Sequence, residues 1–342
     1  MKKVAVVILN YNGRKFLEDF LPGVIANTDS DLADIVVADN ASTDGSVAFM
    51  KERFPEIRLI LNESNGGFAT GYNLALRQVE AQYYVLLNSD IEVTPRWIEP
   101  IVALMDADPE IAACQPKILS YYDRDKFEYA GGSGGFIDRY GYPFCRGRVF
   151  QHLEEDHGQY DDVCEVFWAT GACMFVRADL YLKHGGLDDS FFAHMEEIDY
   201  CWRMKNLGYK IYCCPESKVY HIGGGTLPKS SARKTFLNFR NNLSLLFKNL
   251  PDGKVFWTLA YRVLLDWVAA VKFLFGGGLA DCWAVARAHF AFYRRLPALR
   301  KVRRTFPHHQ VGKIYKRNIV FDNFLKGKKR YSELDPSQFF QG

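Results

Sequence analysis

Tyr83-Tyr84-Val85-Leu86-Leu87-Asn88-Ser89-Asp90 is the stretch that decides the fold. Five apolar residues in a row read as a strand buried on both faces, and the run stops abruptly in an amide, a hydroxyl and a carboxylate. Ligands of open α/β sheets gather at the carboxyl ends of the strands. An acid at the tip of a core strand is placed to hold a divalent cation against a diphosphate, although Asp90 alone could equally cap the next turn.

The segments upstream repeat the pattern. Residues 4–9 form a first apolar strand that ends in Asn10-Tyr11-Asn12-Gly13, followed by Phe16, Leu17, Phe20, Leu21, Val24 and Ile25 at helical spacing. Residues 35–38 end in DNASTDGS (39–46), and residues 57–61 end in NESNGG (62–67). A helix over 71–80 then leads into the strand at Tyr83. Strands alternating with helices imply right-handed crossovers and a mainly parallel, doubly wound sheet. Asn, Asp and Gly are ordinary turn residues, but their recurrence at every strand end suits a nucleotide, whose base and ribose need acceptors, donors and close backbone. The first turn lacks Gly-x-Gly-x-x-Gly, which argues against a dehydrogenase.

VVILNYNG (6–13), VADNASTDGS (37–46), NGGFATGYN (65–73) and LLNSD (86–90) together resemble family 2 glycosyltransferases, with the rhamnosyltransferase-like branch nearest in pattern. The resemblance covers about residues 3–226 and implies a glycosyltransferase A-type fold. It implies that Asp39, Asn40 and Asp44 face the base and ribose, with Asn10, Asn12, Asn65, Gly66, Asn73, Asn88 and Ser89 bordering the nucleotide and Asp90 binding the metal. The family motif at this strand end is Asp-x-Asp, and here its first position is Asn88, which leaves one anionic ligand on the strand.

Downstream, the glycine-rich run 131–135 reads as a flexible turn and residues 140–163 as a surface loop. Residues 166–176 read as one apolar strand with small residues at its centre, where a ligand can approach. Trp168 and Gly171 are its acceptor-side candidates, with a buried core tryptophan as the alternative for Trp168. Glu196, Glu197 and Asp199 open a helix that ends near Gly208. Acids at a helix start are favoured by the macrodipole, but crowding among apolar neighbours also raises a carboxyl toward general-base duty. The resemblance places the catalytic base on Glu197, with Glu196 and Asp199 as orienting or acceptor residues. After a strand over 209–213, the chain reaches His221, which the resemblance adds to the metal site. The glycines at 223–225 would then serve as a mobile lid over the donor phosphates.

The tail differs in character. Residues 255–275 are rich in Trp, Phe and Leu, yet Arg262, Asp266 and Lys272 interrupt them, so they make a poor membrane span. Thr258, Arg262, Asp266 and Lys272 fall on one stripe about 120° wide at ~100° per residue, and the rest of the helix is apolar. Ten lysines and arginines and no acid lie between Asp281 and Asp322, although the net charge of the 342-residue chain is only +3. Residues 255–317 thus suit peripheral contact with a membrane or a helical or homo-oligomer interface, and no nucleic-acid motif accompanies the charge. With 48% hydrophobic and 24% charged residues the chain is globular. No signal peptide and no paired cysteine spacing appear, which suggests the cytoplasm.

The expected organisation is a catalytic unit over 1–226, divided into a nucleotide-sugar half (1–130) and an acceptor half (131–226), with a basic helical extension over 227–342. The expected reaction is Mg²⁺- or Mn²⁺-dependent inverting transfer from a dTDP-rhamnose or UDP-hexose donor to a glycan or lipid-linked acceptor in cell-surface polysaccharide synthesis. Two rivals stay open: a silent sugar-nucleotide-binding subunit, which the Asn88 and Glu197 departures allow, and a nucleotidyltransferase, for which a basic Gly-rich first loop is missing.

Overall fold

A computed structural model describes residues 2–223, 231–276 and 278–341. The strands are β1 (Val4–Asn10), β2 (Ala33–Asp39), β3 (Arg58–Leu61), β4 (Tyr83–Asn88), β5 (Ile91–Val93), β6 (Ile111–Ser120), β7 (Gly135–Asp138), β8 (Pro143–Cys145), β9 (Arg148–Val149), β10 (His152–Leu153), β11 (Cys164–Val166), β12 (Cys173–Arg177), β13 (Lys210–His221) and β14 (Ile314–Tyr315). The helices are α1 (Arg14–Ala26), α2 (Ser46–Arg53), α3 (Gly67–Leu76), α4 (Glu99–Ala107), α5 (Ala178–Lys183), α6 (Glu196–Asn206), α7 (Ala232–Asn249), α8 (Asp252–Phe275), α9 (Leu279–Arg303) and α10 (Ile319–Phe324).

The large sheet runs β11-β13-β6-β12-β4-β1-β2-β3, with β5 added on β13. β1 pairs in parallel with β2 and β4, β2 with β3, and β6 with β13, whereas β12 runs antiparallel between β4 and β6. The α/β character, the mainly common strand direction and the helical C-terminal region agree with the sequence expectation. β4 is buried on both faces, with Tyr84 and Leu86 in one core cluster and Tyr83, Val85 and Leu87 in the other. Register brings Asn10 opposite Asp39 and Leu9 opposite Asn88, so the polar strand ends share one edge.

The antiparallel β12 brings the opposite end of its chain to that edge, where the Asn88 amide donates to the Ala172 carbonyl over 2.9 Å. Residues 166–176 are therefore not one strand. The chain leaves β11 at Val166, crosses through small residues and re-enters the sheet at Cys173. At Gly171 a Cβ would stand 2.9 Å from the Phe68 ring and 3.8 Å from Glu197 Cβ, so the missing side chain lets the crossing pass beside α3 and α6. The helix expected over 71–80 begins earlier, at Gly67, whose φ of +87° and close approach to the Phe192 carbonyl exclude a side chain.

Residues 140–163 are not a loop throughout. β8, β9 and β10 join β7 and β14 in a second sheet ordered β10-β9-β8-β7-β14. Short strands of two or three residues leave too few alternations for periodicity to register. The 131–135 turn is not flexible either. Its glycines pack against side chains, and the Trp168 ring covers Gly135 so closely that a Cβ there would lie 2.1 Å from a ring carbon. Gly135→Ala is expected to cost about 1–3 kcal/mol by overpacking. Urea unfolding measures it, and an unchanged midpoint would contradict this packing.

Candidate active site

The turns after β1 and β2 are woven together by side chains. Asn10 Nδ2 donates to Asp39 Oδ2 (2.9 Å) and to Ser42 Oγ (3.2 Å). Asn12 adopts φ +51° and accepts the Thr43 amide on Oδ1 at 2.7 Å. Asp44 accepts the amides of Arg14 (2.9 Å) and Ser46 (3.0 Å), joining the starts of α1 and α2. Burial opposes its ionisation, but the bonds from Ser46 and Arg14 hold it below the usual carboxylate range. Asn40 Nδ2 donates to Asn65 Oδ1 over 2.9 Å, and that oxygen also accepts the Gly67 amide, which fixes the backbone after Gly66. Ser89 Oγ lies 3.3 Å from where a Gly13 Cβ would stand, so Asn10, Gly13 and Ser89 crowd together. Asn10 Oδ1 is buried with no partner among the described residues. Asn73, in contrast, turns inward, with Nδ2 on the Leu187 carbonyl and Asp189 and Oδ1 on Tyr181 and the Leu187 amide.

Asp90 and His221 meet at the neighbouring edge. β5 pairs with the end of β13, and the Ile222 amide donates to the Asp90 carbonyl, so two distant segments arrive together. His221 Nε2 lies 3.2 Å from Asp90 Oδ1, and Nδ1 lies 3.4 Å from Glu128 Oε2, with all three side chains buried. Burial alone would lower the imidazole, yet Glu128 and Asp90 hold it at about 10. Asp90 is buried too, and His221 keeps it below its ordinary value. Glu128 accepts the nearby Ala130 amide, but its ionic partner His221 arrives only with the return of β13, so the sequence carries no local signal of that pairing. Gly224 and Gly225 of the expected lid lie outside the described residues.

On the far side of the Gly171 crossing, α6 starts with three bulky residues at positive φ shortly before and at its boundary: Phe192 (+70°), His194 (+70°) and Met195 (+75°). Such backbone costs of order 1–3 kcal/mol per residue and persists only under external constraint. α7 supplies it: Asn241 Nδ2 donates to the carbonyls of Phe191 (3.1 Å), Ala193 (2.9 Å) and His194 (2.8 Å), and Arg240 reaches the Phe191 carbonyl at 2.8 Å. Behind the loop, Asp199 is fully buried and accepts from Arg203 (2.9 Å), Lys248 (2.8 Å) and Asn249 (2.8 Å). It anchors α7 to α6. Glu196 is buried and Glu197 half-buried, and each has one carboxylate oxygen without a partner among the described residues. Burial pushes Glu197 up to about 7 and, with Glu197 beside it, raises Glu196 well above the usual range. Glu197 borders Gly171, which precedes the Ala172 carbonyl on Asn88, so a short chain of contacts links it to the Asp90 edge. Trp168 is 3% exposed, with its indole N–H on the Phe136 carbonyl at 2.9 Å, the core placement of its two alternatives.

Lys248 also pairs with Asp188, whose carboxyl burial would raise but which this ammonium holds down at about 2. Lys248→Met is expected to cost about 3 kcal/mol, the low end for breaking a buried ion pair, because Asp188 loses its cation while Asp199 keeps Arg203 and Asn249. The Asp188 contribution is present above the unfolded value near 3.8 and disappears as pH falls through about 2. The stability gap between wild type and variant should therefore narrow in acid, and a gap constant from pH 6 to 2 would contradict the pairing.

The model of the family described as "Glycosyl transferase family 2" matches residues 5–181, more than half of the chain. The chain belongs to glycosyl transferase family 2. This glycosyltransferase is 25% identical over 234 residues to an N-acetylglucosaminyl-diphospho-decaprenol L-rhamnosyltransferase of Mycobacterium tuberculosis, covering 63% of this chain and 75% of that one. It is 22% identical over 281 residues to a low-salt glycan biosynthesis hexosyltransferase of Haloferax volcanii, covering 80% and 85%. Among solved structures, GalNAc-T7 with UDP, GalNAc and Mn²⁺ matches 74% of this chain and 49% of its own, at a TM-score of 0.58 and 18% identity. That likeness bears on the fold alone. The glycosyltransferase thus has the expected family, branch and A-type fold.

Proposed function

We propose that this glycosyltransferase moves a sugar with inversion from a nucleoside diphosphate donor to an acceptor hydroxyl. Glu197 takes the hydroxyl proton, the acceptor oxygen forms a bond to the anomeric carbon, and the bond from that carbon to the diphosphate breaks on the opposite face. The observation that carries this reading is the half-buried Glu197, with one oxygen unpaired among the described residues and a raised carboxyl, bordering the crossing that abuts the Asp90 strand end. Asp39, Asn10, Asn40 and Asn65 would cradle the nucleoside. Asp199 and Asn73 would position the loops around the site.

Asp90 and His221 fit a divalent cation, Mg²⁺ or Mn²⁺, which would take the place of the imidazole proton where Asp90 Oδ1 and His221 Nε2 face each other 3.2 Å apart at the strand ends. Among the described residues no three ligating side chains gather to hold an ion alone. That suits a site completed by donor oxygens and water. When bound, the ion would neutralise charge on the departing diphosphate.

The likeness to the mycobacterial rhamnosyltransferase supports a rhamnosyl donor such as dTDP-rhamnose and a lipid-linked acceptor in cell-surface polysaccharide synthesis, and the likeness to the haloarchaeal hexosyltransferase supports the alternative of a hexose donor such as UDP-hexose and a glycan acceptor. Nucleoside diphosphate release from a panel of sugar nucleotides, with each metal and with lipid-linked acceptors, tests the reading. One donor should be consumed in a metal-dependent way. Donor binding without turnover across every acceptor would instead favour a silent binding subunit.

A further inference from the structure

We propose that the outward face of the α8–α9 hairpin docks in the plane of a lipid bilayer that carries anionic headgroups. α8 is built inside out. Its buried residues are Arg262, Asp266 and Ala270. Arg262 Nε donates to Asp266 Oδ1 at 2.7 Å, Asp266 Oδ2 meets His289 Nε2 of α9 at 3.1 Å, and the guanidinium lies 3.9 Å above the Tyr142 ring and bonds the Tyr140 carbonyl. This polar stripe ties the helix to the catalytic body and fixes its rotation.

The rotation turns the apolar side to solvent. Trp257 (74% exposed), Leu264, Val268, Val271 and Phe275 (86%) are exposed, and at ~100° per residue they share a stripe roughly opposite the buried one. From Trp257 to Phe275 the stripe runs about 27 Å at ~1.5 Å per residue. A helix in water buries its apolar side, and a continuous exposed stripe of this length marks an interaction surface. No described helix is long and apolar enough to cross a membrane, and the contact proposed lies in the plane.

Charge selects the occupant. Of the acids within the hairpin, Asp266 is fully buried, Asp281 accepts from Thr235 of α7 at 2.6 Å, and the exposed Asp252 at the start of α8 is paired with Arg303. Lys272, Arg294, Arg300 and Arg304 remain exposed, and the last two border a cleft of about 360 Å³ with Arg303, His308 and Asp252, in which the cations outnumber the one carboxylate. A second copy on a two-fold axis would set like charges against one another, whereas anionic headgroups neutralise them. α9 also sends Arg295 to the Ser190 carbonyl at 2.5 Å, so a docked hairpin would orient the loop that precedes Glu196 and Glu197 relative to the lipid surface.

The inference stands apart from the transfer reaction, because vesicle binding is scored without turnover. The full chain is sedimented with vesicles of equimolar phosphatidylglycerol and phosphatidylcholine, and with phosphatidylcholine alone. Partitioning should be about tenfold stronger onto the anionic vesicles and weaken with salt. Trp257→Ser with Phe275→Ser should reduce it by about tenfold or more, since both aromatics leave the contact, while circular dichroism stays unchanged. Lys272→Glu with Arg294→Glu is a second route to the same loss that leaves the apolar stripe intact. No partitioning onto anionic vesicles overturns the proposal. So does a dimer in light scattering that the serine pair dissociates while vesicle binding is absent.

Discussion

Glu197→Gln is expected to lower kcat by about 10²- to 10⁴-fold, the span general-base catalysis covers, with donor affinity little changed. Glutamine keeps the shape of the side chain and removes the site that takes the proton. The pH profile supplies a second readout. Burial raises the Glu197 carboxyl to about 7, and Glu196 is raised beside it, so the acidic limb of kcat/KM belongs to the pair. Activity should rise as pH passes upward through neutrality, because the base must be ionised. Stability runs the other way. A carboxyl raised in the folded state favours folding least once pH exceeds the folded value, so Glu197→Gln should gain stability relative to wild type as pH rises from about 4.5 toward and beyond 7. Wild-type turnover in Glu197→Gln, at wild-type stability, would exclude it as the base.

Asp90→Asn is expected to remove metal-supported turnover, a loss of about 10²–10³-fold by the measure of deleting one charge-stabilising group at a leaving group. The amide retains volume, so the strand end should survive. It offers a neutral oxygen where the wild type has the carboxylate that faces His221 Nε2. Mn²⁺ titration by calorimetry or electron paramagnetic resonance, in the presence of nucleoside diphosphate, reads the site without catalysis and should show affinity reduced in parallel. Glu128→Gln should weaken the ion by about 10–100-fold, the usual effect of removing a carboxylate behind a ligating histidine. Mn²⁺ affinity unchanged in both variants would mean that the ion, if bound, is held elsewhere.

Much of the polar edge formed by the strand ends was legible because it is local. The apolar runs at Val4 and Tyr83 specify buried strands by themselves, and each polar cluster is tied to the end of its own strand. Parallel register then aligns Asn10 with Asp39 without further information. The second sheet was not legible, since β8–β10 are too short to display a period. The crossing at Phe167–Ala172 was read as strand because a buried crossing is as apolar as a buried strand.

Hydrogen-bond partners were the larger gap. Asn40 and Asn73 carry the same amide, yet one joins the Asn65 turn and the other is taken up by Leu187, Asp189 and Tyr181. Asp199 lies two residues from Glu197, and three donors from α6 and α7 occupy it while Glu197 keeps an oxygen unpartnered among the described residues. Composition near these residues is alike, and only packing between distant segments separates them.

The sequence by itself determined the alternation of strand and helix, the polar strand tips and the amphipathic division of α8, because periodicity and turn chemistry act over a few residues. Tertiary structure alone decided which acids stay free, that Glu128 stands behind His221, and that the polar stripe of α8 faces inward. Each of those depends on groups far apart in the chain, and a buried charge takes whichever partner the fold brings within reach.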